Sequence, residues 1–126
     1  MSIGPQGAVK VWWEDARDCI EGMMSALYFA HSTIGYGRPA LLAAVDQLAA
    51  ASKAANMWLP SHPCPDPNLN DRFTRMLRSA GGLAVWLEDA VCAPRDLDVL
   101  TVDREIALVT EMMTEALAHL GGYQEE

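Results

Sequence analysis

Pro60-Ser61-His62-Pro63-Cys64-Pro65-Asp66-Pro67 divides this chain into two halves, each long enough for a pair of helices. A proline fixes φ at about −65°, removes a backbone donor and pushes the residue before it out of the α region. Four of them within 60–67 end the helix in front and predict a stiff, extended loop. Outward from it, the apolar residues recur at helical spacing on both sides.

On the N-terminal side, Trp12, Ala16, Cys19, Ile20, Met23, Leu27, Ala30 and Ile34 share one face at 100° per residue, opposite Glu14, Asp18, Glu21, Ser25 and Ser32. This predicts a first helix over about 11–34, stopped by Gly35-Tyr36-Gly37. Pro39 suits the first position of a second helix over about 39–58, with its stripe at Leu41, Val45, Leu48, Ala55 and Leu59. Beyond the loop, Asn68 or Asn70 is placed to cap a third helix over about 70–92. Its stripe is Phe73, Met76, Leu77, Ala80, Leu83, Ala84, Leu87 and Val91, and Pro94 ends it. The phase holds across Gly81-Gly82, which favours one continuous helix although each glycine costs about 1 kcal/mol relative to alanine. A fourth helix over about 101–120 carries Val102, Ile106, Val109, Met113, Ala116, Leu117 and Leu120 before Gly121-Gly122. No segment alternates with period two.

The expected fold is therefore all-α, an antiparallel up-down-up-down four-helix bundle in one domain spanning 1–126, with flexible termini. In that arrangement Arg72, Arg75 and Arg78, which oppose the dipole of their own helix, would lie beside Glu111 and Glu115 of the fourth.

Composition narrows the function classes. Nine basic against 17 acidic residues give a net charge of −8, which argues against nucleic acid or anionic lipid as partner, because phosphates need clustered Lys and Arg. Met1 to Gly7 lacks the basic and apolar regions of a secretory signal, and no apolar run approaches the ~20 residues of a membrane span. Cys19, Cys64 and Cys92 are far apart and odd in number, which reads as reduced thiols in the cytoplasm. Seven Arg against two Lys, with abundant Ala, hints at a GC-rich bacterial or phage genome.

Chemistry is suggested most strongly at the proline loop. Its His62, Cys64 and Asp66, with His119 brought to the same end by the bundle, are candidate ligands for zinc. His-x-Cys-x-Asp is no recognised zinc spacing, however, and the competing expectation is that the prolines pack on Trp12, Trp13 and Trp58 to close the core. Glu115 and His119 stand at i and i+4, but the chain has no Glu-x-x-His of the kind a di-metal bundle needs. His31 falls at the edge of the first stripe, at the other end, and cannot join His119 along a helix ~30 Å long. It reads as a core-margin histidine with one hydrogen bond. A helix-turn-helix over Arg72–Ala90 is set aside, because Leu83 to Asp89 offers no basic or amide side chain to DNA.

Val85 and Trp86 depart from the main stripe of the third helix, and Leu108 and Met112 widen that of the fourth. A large aromatic in such a place lacks a reason within the chain, and broad apolar arcs mark association surfaces. The expected function is a small non-catalytic helical binding module, self-associating or holding another protein through Val85, Trp86, Leu108 and Met112, with no cofactor. The alternative is a metal- or small-ligand-dependent enzyme or sensor at the proline-loop end.

Overall fold

The periodic runs form helices. The structure, a computed structural model, describes residues 5–93 and 97–124, and the expected flexible termini and Pro94 stop lie wholly or partly outside them. In chain order the elements are α1 (Pro5–Thr33), a 3-10 turn at Ile34–Tyr36, α2 (Arg38–Ser61), α3 (Pro67–Cys92) and α4 (Val99–Gln124). No strand occurs among the described residues, so the fold is all-α.

Helix ends follow local chemistry, and several differ from the sequence expectation. α1 begins at Pro5, ahead of residue 11, because Val9 is fully buried and extends the stripe by another turn. α2 runs through Pro60 to Ser61 instead of ending at 58. Proline removes only its own N–H, and the His62 amide still donates to the carbonyls of Trp58 and Leu59 at 3.1 and 3.0 Å. The residue that leaves the helix is His62, at φ −135° and ψ 59°, outside the α region that a following proline disfavours.

α3 then starts at Pro67 in place of residue 70. Asp66, held extended before a proline, is its N-cap and accepts from the Asn68 amide at 3.3 Å. Asn70, an expected cap, instead accepts from the Cys64 amide at 2.9 Å and pins the loop. At the far end α4 passes through Gly121-Gly122 to Gln124. Glycine commonly stops a helix by taking a positive φ, and among the described residues only Gly37 has one, at 94°. There it turns the chain from α1 into α2.

Specific bonds fix which ends meet. Trp12, early in α1, donates through Nε1 to the His62 carbonyl after α2 at 2.7 Å. The Arg38 guanidinium, at the start of α2, reaches the carbonyls of Val91 and Ala93 at the end of α3. Between these ends, Asn56 of α2 donates to the Leu77 carbonyl of α3 at 2.8 Å, beside Gly81. His31, late in α1, lies 3.2 Å from Asp103 near the start of α4. Each helix thus packs against two others, α1 on α2 and α4, and α3 on α2 and α4. α3 is unbroken across Gly81-Gly82.

One apolar cluster fed by all four helices fills the interior, with Ile20, Met23, Leu48, Phe73, Leu87 and Ile106 among its fully enclosed side chains. Full burial of side chains of this size contributes roughly 1.5–3 kcal/mol each. None of the described helices is long and apolar enough to cross a membrane.

Candidate functional site

The proline loop places its ligand-type residues in structural work. Trp12 is 6% and Trp13 8% exposed, and Phe73 packs against both with ring centroids at 5.5 and 6.5 Å. Trp58 completes the cluster, 6.2 Å from Trp12. The His62 imidazole stacks on Trp58 at 4.6 Å and 7°, and its Nδ1 is 3.1 Å from the Trp58 carbonyl. A carbonyl can only accept, so Nδ1 carries the proton.

Cys64 is a buried residue of the loop, and that burial pushes its thiol pKa up, against a backbone hydrogen bond from Asp66 that pulls it down. Asp66 caps α3, and His119 is exposed on α4. Among the described residues no three His, Cys, Asp or Glu side chains form a group able to hold a metal ion, at this end or elsewhere.

Other expectations about charged groups are corrected by the packing. Arg75 pairs with Asp71 of its own helix at 3.1 Å, and Arg78 lies on the α2 side of α3 beside Asn56, Pro60 and Pro63. Arg72 is half-buried, with its Nε enclosed and lacking a hydrogen-bond partner. None of the three forms an ion pair with Glu111 or Glu115 among the described residues: Arg75 is taken by Asp71, and Arg78 lies off the Ser79, Gly82 and Trp86 line that faces α4. His31 is exposed rather than at the core margin, and its partner is Asp103 of α4.

The outer face of α3 and α4 presents a different arrangement. Trp86 remains 37% exposed, Val85 63% and Leu108 51%, while Met112 is half-buried against the core. Trp86, Leu108 and Met112 line a cleft of about 540 Å³ between the two helices, with Leu83 and Val109 in its floor. Glu105, Glu111 and Glu115 stand around it. Trp86 also lines a second cleft of about 320 Å³, which continues toward Asp89, Leu97 and Asp98. Val85 faces solvent outside both clefts.

The glutamates were absent from the sequence candidates, although Glu105, Leu108, Met112 and Glu115 recur at i, i+3, i+7 and i+10, the spacing of a single helix face. On the opposite flank of α4, Met24 and Tyr28 of α1 and Leu117 of α4 line a further, largely apolar cleft of about 570 Å³. Comparison with protein families, with curated proteins and with solved structures finds no match to this chain.

Proposed function

We propose that this chain is an antiparallel up-down-up-down four-helix bundle that works as a non-catalytic interaction module, with the outer face of α3 and α4 as its contact surface. The pairing of α1 with α2 and α4, and of α3 with α2 and α4, supports the topology. The carrying observation for function is Trp86, a large aromatic left over a third exposed beside Leu108 in a cleft that no segment of the described chain covers. Aromatic and Met side chains in such a setting are the usual anchors of protein interfaces. The cover is a second copy of the chain or another protein.

Light scattering of the wild type and of a Trp86→Glu, Leu108→Glu variant tests self-association. If a second copy covers the face, the variant keeps its helical circular dichroism and drops to a lower solution mass. An unchanged oligomer would remove this face from that role.

A further inference from the structure

The charges around the α3–α4 cleft identify what fits it. Glu105, Glu111 and Glu115 surround its Trp86, Leu108 and Met112 surface, and the continuation past Trp86 adds Asp89 and Asp98. Among the described residues no Lys or Arg lines either cleft. Among the described residues, Arg75 is held by Asp71, Arg78 lines the α2 side of α3, Arg104 lies within electrostatic reach of Asp98, and Arg72, whose Nε is enclosed, lines neither cleft. Along α3 the two clefts extend from Ser79 to Ala93, about 21 Å at the helical rise, which is about four turns of a helix laid alongside.

A second copy is a poor occupant. A twofold contact sets one face against itself, so it would bring the three glutamates of each protomer together over a dry centre. Their mutual repulsion would work against the apolar gain. Nucleic acid and anionic membranes carry the wrong sign for the same surface.

We propose that the α3–α4 groove is a docking site for a cationic amphipathic helix of another protein. Its apolar ridge, at i, i+3, i+4 and i+7, seats on Trp86, Leu108 and Met112, and its Lys and Arg residues face Glu105, Glu111 and Glu115. Met112 gives the floor a side chain that adapts to different apolar residues, and Trp86 offers a ring face to a flanking Arg. This occupant rests on the reading of the α3–α4 face as the contact surface.

Calorimetry and tryptophan fluorescence on the full chain test it with three synthetic 18-residue peptides. One is a Leu/Lys amphipathic helix, one has the same composition in scrambled order, and one is a Leu/Glu amphipathic helix. The Leu/Lys helix should bind and change Trp86 emission. Its affinity should fall by roughly tenfold or more with Trp86→Ala, and likewise with the triple change Glu105→Gln, Glu111→Gln, Glu115→Gln. Circular dichroism confirms that both variants remain helical.

Equal binding of the scrambled or Leu/Glu peptide overturns the proposal, as does undiminished Leu/Lys binding by either variant. A wild-type dimer that Trp86→Glu dissociates, with no Leu/Lys binding, keeps the contact surface and overturns this occupant. A single-chain mass with no peptide bound overturns both.

Discussion

Trp12 and Trp86 are the same amino acid in opposite situations. Trp12 is enclosed, ringed by Trp13, Trp58 and Phe73, with its indole N–H satisfied by the His62 carbonyl. Trp86 lies half-open between α3 and α4, among carboxylates. The proline-loop end has residues that look reactive, yet each has a structural partner or is simply exposed. The α3–α4 face has ordinary residues, and no described segment covers its apolar surface. An unfinished surface is the better guide to function here than an assembly of ligand-type side chains, because a satisfied group has little interaction energy left to offer.

The comparison can be broken first at its strongest point. Phe73→Ala should destabilise the chain by roughly 3–5 kcal/mol, since it opens a cavity where two tryptophans meet. Urea unfolding followed by circular dichroism measures this, and a loss below about 1 kcal/mol would show that the aromatic end is not a core. Trp12→Phe keeps most of the apolar volume and deletes the donor to His62. A loss of about 1–3 kcal/mol is expected.

Trp86→Ala should cost only about 1 kcal/mol by the same measurement, because part of the ring is already in water. A loss equal to that of Phe73→Ala would turn the groove into core and end the contrast.

The smallest effect concerns pH at the head of α4. Asp98 accepts from the Thr101 hydroxyl at 2.7 Å and the Thr101 amide at 3.2 Å, and these bonds lower its pKa. A carboxyl that ionises more readily folded than unfolded stabilises the fold above its unfolded pKa, about 3.9, and loses that contribution as pH falls through the lower folded value. Asp98→Asn should therefore lower the thermal midpoint at neutral pH, and the gap to wild type should narrow in acid. A gap that is constant down to pH 2 would exclude the ionised cap.

The helical stripes were readable because burial repeats every 3.6 residues. Leu41, Val45, Leu48, Ala55 and Leu59 are all buried as their spacing requires, and so is every stripe residue assigned to the third helix. The helix starts were less legible. Asp66-Pro67 is a cap and first-position pair, but the prolines around it also read as continuous loop, and two asparagines nearby competed for the role.

Val85, Trp86, Leu108 and Met112 stood out by phase, but phase does not say what lies opposite. The cleft and its glutamates belong to two helices at once, and one-dimensional spacing cannot pair them. For the same reason spacing alone sets Arg72, Arg75 and Arg78 beside Glu111 and Glu115, whereas in the fold Arg75 is taken by Asp71 and Arg78 lines the side toward α2.

By itself the sequence determined that this chain is helical, where its main apolar stripes lie and that its charge is acidic, because those properties are local or additive. Only the tertiary structure decided that three tryptophans are finished and the fourth is not. Satisfaction of a side chain depends on the neighbours that distant segments bring to it. The His62 carbonyl that closes Trp12 is 50 residues away, while no described segment closes over Trp86.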